Sequence, residues 1–186
     1  MNEAHQACGG DEWRGMMRDV ILPWAVGEVE LGDDVLEVGP GYGATTDVLC
    51  ERVGHLTSVE IDDELVAMLT ERFAHTDNVE IVHGDATALP YPDGRFSGAA
   101  CFTMLHHVPT IELQDRLFAE VARVLAAGAA LVASDSLASD ELKAHHEDDT
   151  YNPVDPTTLD ARLRAAGFSD VEVRTNPYGW AAVARV

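Results

Sequence analysis

The chain has 186 residues, 46% of them apolar, with 12 Lys plus Arg against 33 Asp plus Glu and a formal charge of −21. That is enough apolar material for one full-sized core. The acidity sets up a repulsive field around any polyanion, so a small-molecule partner is expected, and neither nucleic acid nor an anionic membrane is. Lys143 is the only lysine, and arginines supply the other basic residues, so no polybasic patch is available.

The three cysteines, Cys8, Cys50 and Cys101, form neither a CxxC pair nor a dense framework, which points to a reduced, cytoplasmic chain. The opening MNEAHQACGGDEW lacks a basic segment followed by a continuous apolar one, and no later run is long and apolar enough to span a bilayer. Export and a membrane span are therefore not expected.

Short apolar runs alternate with helical patterns along the chain, the signature of a parallel sheet wrapped by helices. An amphipathic stretch from about Glu12 to Val29 carries Trp13, Met16, Met17, Val20, Ile21 and Trp24, with Pro23 forcing a kink or restart. Residues 1–30 read as a helical cap on a single domain formed by residues 31–186. Strands are expected at Asp34–Val38, Leu56–Glu60, Val79–Val82, Gly98–Phe102 and Ala129–Ser134. Between them lie helices at Thr45–Val53, after the cap Asp62 (inward face Leu65, Val66, Leu69 and Phe73), and along the stripe Leu113, Leu117, Val121, Val124 and Leu125, which Gly128 ends. The polar run from Asp135 to Pro156 reads as a surface connection with a short helix near Glu141–His146. A helix at Thr158–Ala166 stops at Gly167, and strands at Val171–Arg174 and Trp180–Val186 are joined by the turn NPYG as an antiparallel pair.

The stretch VLEVGPGYGAT, residues 35 to 45, carries the most chemistry. An apolar strand runs into Gly39, Gly41 and Gly43 and then into a helix, which is where an open parallel sheet binds nucleotides. The loop satisfies both the dinucleotide pattern GxGxxA and a GxGxG pattern with an acid two residues upstream. Glu60, ending the second strand, can accept hydrogen bonds from both hydroxyls of a ribose. Asp85, in HGDAT after the third strand, can receive the exocyclic amine of an adenine. A dehydrogenase would need further length for a second, substrate-binding domain, which 186 residues do not provide.

With these stations in order, the sequence resembles the class I S-adenosylmethionine-dependent methyltransferases of the small single-domain type. EVGPGYG looks like that family's first motif, SVEID like its second-strand acid, GDATALPYPDGRF like its adenine-side loop and AACFTMLHHV like its fourth-strand motif. The resemblance covers nearly the whole chain. Ser97 stands where many members have Asp, and LAAGAA lacks the common Lys-Pro-Gly. The implied fold is three-layer α/β: a Rossmann-like, seven-stranded, mostly parallel sheet with an antiparallel last strand and helices on both faces.

The resemblance implies methyl transfer from S-adenosyl-L-methionine to a small-molecule acceptor, with S-adenosyl-L-homocysteine as product. It places Glu37, Gly39 and Gly41 at the methionine end of the cofactor, Glu60 at the ribose, and Asp85 with the amide of Ala86 at the adenine. Cys101 and Phe102 would border the methionine moiety and the reaction space, although Cys101 also reads as a small core residue. His106 and His107 are candidate general bases, and Tyr42, Tyr151 and Asn152 candidate acceptor contacts. No metal is expected. The adjacent histidines of HHEDDTY, residues 145 to 151, would diverge on a helix, and no matching ligand pair elsewhere has a familiar spacing. An NAD(P)-dependent oxidoreductase and a non-catalytic cofactor-binding accessory protein are the alternatives, and a homodimer is compatible with the sequence.

Overall fold

The computed structural model describes residues 8–186. Seven strands form one sheet: β1 (Asp34–Val38), β2 (His55–Glu60), β3 (Val79–His83), β4 (Phe96–Phe102), β5 (Leu125–Ser136), β6 (Asp170–Thr175) and β7 (Gly179–Arg185). Their order is β3-β2-β1-β4-β5-β7-β6. The pairs from β3 to β5 are parallel, and β7 runs antiparallel to both β5 and β6.

Alternation along the strands divides the core into two layers, as a pleated sheet requires. Leu36, Val38, Ala99, Cys101, Leu131 and Ala133 face one side, where α5 (Ile111–Val124) and α7 (Pro156–Ala166) cover them with Leu117, Phe118, Val121, Leu159 and Leu163. Val35, Ala100, Phe102 and Val132 face the other side, beneath α1 (Asp11–Met16), α2 (Leu22–Val26) and α3 (Thr46–Leu49). Full burial of Leu117 or Phe118 contributes about 2 kcal/mol each. Side-chain oxygens cap four later helices: Asp62 starts α4 (Asp63–Arg72), Thr110 starts α5, Ser139 starts α6 (Asp140–His145) and Asp155 starts α7. Gly167 closes α7 in the left-handed region.

Four departures from the sequence expectation have local causes. The opening helix contains a widened turn, Met17–Ile21, in which the Leu22 N–H reaches the Met17 carbonyl. Pro23 has no N–H to offer the turn before it, and the wider turn rotates the stripe. Met17, Leu22, Ala25 and Val26 are therefore buried, while Met16 and Val20 are exposed. The helix expected over Thr45–Val53 stops at Leu49, because Asn78 Nδ2 donates to the carbonyls of Cys50 and Val53. Helix α5 ends at Val124 rather than at Gly128. Phe96 pairs with Leu125 and Gly98 with Ala130, so Gly128 sits at φ +80° in a bulge of β5. Finally, the run expected as surface connection has the short helix expected in it, α6 (Asp140–His145), but buries Asp135, His146 and Val154.

Among the described residues no helix is long and apolar enough to cross a membrane.

Candidate active site

β1 is flanked by β2 on one side and β4 on the other, so the connections leaving these strands diverge at their C-terminal ends. A crevice opens there, as at any topological switch point of an open parallel sheet. It holds a cavity of about 570 Å³, within the range of cofactor and small-ligand sites. The loops after β1, β2 and β3 line one side, and the segments after β4 and β5 line the other.

On the first side, Gly39, Gly41 and Gly43 all have positive φ. A Cβ at Gly39 would meet the Met104 side chain at 2.8 Å, so this position needs glycine for close packing as well as for its backbone. At Gly41, φ +55°, a Cβ would meet no atom within 4 Å; the bare backbone faces the open cavity. Glu60 is fixed under the loop. Its Oε2 accepts from the Gly41 N–H at 3.1 Å, and its Oε1 accepts from the N–H groups of Ile61 at 2.8 Å and Asp62 at 3.0 Å. Asp85 and Ala86 also line this side, with Asp85 Oδ1 accepting from the Thr87 N–H at 2.8 Å. Tyr42 lines the cavity too, and Arg72 donates to its carbonyl at 2.6 Å.

Glu37 and Cys101 do not line the cavity; both are buried in the sheet behind it. Glu37 Oε2 accepts from the Thr46 and Ser58 hydroxyls at 2.7 and 2.6 Å, while its Oε1 is buried without a hydrogen-bond partner among the described residues. Burial pushes the Glu37 carboxyl up to about 7, opposed by those two hydroxyls and assisted by nearby Asp47 and Glu60. Burial likewise pushes the Cys101 thiol up, with Asp135 and Glu37 adding to the effect.

On the second side, Phe102, Thr103 and Met104 lead from β4 into a single 3-10 turn, Leu105–His107. Thr103 has φ +52°, which a β-branched residue adopts only when its surroundings impose it. Its N–H donates to the Ser134 carbonyl at 2.7 Å, which fastens the turn to β5. His106 is buried, and Asp135 at the end of β5 holds it twice: Oδ2 accepts the His106 backbone N–H at 3.0 Å, and Oδ1 lies 2.7 Å from Nδ1. His107 and His146 line the cavity beside it.

Tyr151 and Asn152 do not line the cavity. The Tyr151 hydroxyl bonds the backbone of Ser139, and Asn152 ties the loop down through the Val108 carbonyl and the Gln114 side chain. Asp135, Thr103 and His146 were missed as site residues. Asp135 carried a readable signal, since an acid directly ends an apolar strand there, as Glu60 does in β2.

The fold is also that of a crystal structure of a SAM-dependent methyltransferase from Archaeoglobus fulgidus, 18% identical, with a TM-score of 0.75 over 98% of this chain and 97% of that one. A protein of Pyrococcus furiosus named "Probable ribosomal RNA small subunit methyltransferase A" is 39% identical over 79 residues, 42% of this chain and 29% of its own length. The ribosomal RNA small subunit methyltransferase A of Moorella thermoacetica is 48% identical over 64 residues, 34% of this chain and 22% of its own length. The chain thus spans between a fifth and a third of the length of these curated relatives.

These names overturn the expectation, drawn from acidity, of a small-molecule partner with nucleic acid excluded. The physical reason is that net charge describes a whole surface, whereas the shared segment builds a cofactor site. Its charge does not decide what the rest of a protein presents to an acceptor. The dinucleotide alternative for the glycine loop is not favoured either. A family model described as a methyltransferase domain matches residues 36–133, just over half of the 186 residues, from within β1 through most of β5. The chain belongs to the class I S-adenosylmethionine-dependent methyltransferase family.

Proposed function

We propose that the chain transfers the methyl group of S-adenosylmethionine to an acceptor group that enters the second side of the cavity, releasing S-adenosylhomocysteine. The observation that carries this reading is one continuous cavity joining the glycine-loop side to the histidine-lined side.

The first side suits the cofactor. The bare backbone at Gly41 leaves room against the loop, and Glu60 offers a fixed carboxylate for the ribose hydroxyls. Asp85 and the Ala86 amide stand where the adenine edge would lie, and Gly39 permits the close turn. Glu37 acts from behind the loop, outside the cavity, where it holds the Thr46 and Ser58 hydroxyls under the methionine end. Phe102 borders the junction of the two sides.

The cofactor supplies an electrophilic methyl group, so the chain's task is to align a nucleophile and exclude water. Tyr42 and the histidine side restrict the acceptor to a group that fits the chamber. An acceptor that loses a proton would give it to Nε2 of His106, whose Nδ1 faces Asp135, or to His107. The relatives' names make RNA one acceptor class to assay beside small molecules.

The test is calorimetric titration with S-adenosylmethionine, followed by transfer of labelled methyl to RNA and to the small-molecule fraction of a cell extract in parallel. Saturable binding with label in either fraction is expected. Preference for NAD(P)H, or binding without transfer to any acceptor, would sink the proposal.

A further inference from the structure

Three histidines from two distant segments meet at the second side of the cavity. His106 and His107 belong to the turn after β4, and His146 follows α6. One potential ligand atom from each lies within 4.8 Å of the others. The ring centroids are 4.2 Å apart for His106 and His107, 4.8 Å for His106 and His146, and 5.0 Å for His107 and His146.

Two of the rings are already oriented as metal ligands usually are. His146 Nδ1 lies 2.6 Å from the Leu142 carbonyl oxygen. A carbonyl only accepts, so Nδ1 carries the proton and Nε2 the lone pair. His106 Nδ1 lies 2.7 Å from Asp135 Oδ1, and Asp135 is itself held by the N–H groups of His106 and Ser136. A carboxylate or carbonyl behind an imidazole is the arrangement that fixes the tautomer and raises the basicity of a ligating nitrogen.

From this convergence we propose that His106, His107 and His146 form a binding site for a divalent transition metal ion of the Zn(II) type, with the fourth position open to the cavity. Three imidazoles favour zinc and its neighbours over magnesium or calcium, which take oxygen ligands. Zinc–nitrogen bonds of 2.0 to 2.1 Å place tetrahedral nitrogens about 3.4 Å apart, so small side-chain adjustments close the set. His106 and His146 are buried, and the cavity provides the entry path. The site goes beyond the methyl-transfer reading and stands on separate residues from the glycine-loop side. Where an ion binds, the imidazoles are its ligands and the base role of His106 and His107 gives way.

The test uses the full chain, stripped with a chelator and titrated with Co(II) alone and then with Zn(II). The expected result is an intense four-coordinate Co(II) spectrum that saturates at one equivalent and is bleached by Zn(II). His146→Ala and His107→Ala should each weaken binding at least tenfold, whereas His145→Ala, at the exposed neighbouring position, should not. Circular dichroism monitors folding, and His146→Gln replaces any alanine variant that does not fold. No spectrum, the weak spectrum of six-coordinate Co(II), or an unchanged titration in folded His146 variants would overturn the site. S-adenosylmethionine titration of the same stripped protein distinguishes the readings: binding there with a silent Co(II) titration removes the metal site alone.

Discussion

The two sides of the cavity are built differently. The glycine-loop side consists of segments in which a strand, its turn and the fixing carboxylate follow one another closely, and Glu60 is held by the backbone of Gly41, Ile61 and Asp62. The histidine side draws on residues 106 and 107, Asp135 and His146, joined through the buried His106–Asp135 hydrogen bond and ring contacts. A backbone-built side tolerates change at any one side chain, because main-chain N–H groups remain in place. A side-chain-built one depends on every member.

That contrast predicts its largest effect at Asp135. Asp135→Ala leaves the His106 and Ser136 donors without their acceptor in a dry site, where His106 and Asp135 side chains are 6% and 1% exposed. Each buried donor left unsatisfied costs about 1 to 3 kcal/mol. Urea denaturation measures it, and a loss below about 1 kcal/mol would erase the distinction between the two sides.

Glu37 sharpens the contrast as a buried group on the first side. The folded chain keeps its proton to about pH 7, whereas the unfolded chain releases it near the ordinary value of 4.5. Folding therefore takes up a proton between those values. The resulting stabilisation is complete below 4.5 and is lost as pH rises through 7. The shift corresponds to about 3 kcal/mol. Glu37→Gln should match the wild type at acid pH and exceed it by that order at pH 8, as seen by denaturation at the two pH values; parallel curves would refute the assignment.

The smallest effects belong to the two carboxylates that line the cavity on the first side. Glu60→Ala should weaken S-adenosylmethionine binding by about 1 to 3 kcal/mol while leaving the circular dichroism spectrum intact. Asp85→Ala, whose Oδ1 already serves the Thr87 N–H, should cost about 1 kcal/mol by the same calorimetry. A larger loss at Asp85 than at Glu60 would reverse the ranking of the two contacts.

Much of the fold was legible because its determinants are local. Asp34–Val38 is a strand as expected, Asp62 caps α4, Gly167 ends α7, and the final pair is antiparallel. The misread boundaries came from partners far along the chain. Asn78 ended α3 by taking carbonyls at Cys50 and Val53, and pairing with β4 drew Leu125 out of the helical stripe into β5. Tyr151 and Asn152 were expected to face an acceptor, but their polar atoms bind the loop's own surroundings.

The sequence by itself determined the family: the glycines, Glu60 and Asp85 follow the first three strands in order, and short-range order suffices to place them at the strand ends. Acidity did not determine the acceptor, since net charge carries no information about where charge is placed. Only the tertiary structure decided that His146 leaves its polar run and joins His106 and His107. Strand order brings the ends of β4 and β5 together, and burial then forces the polar groups there to satisfy one another.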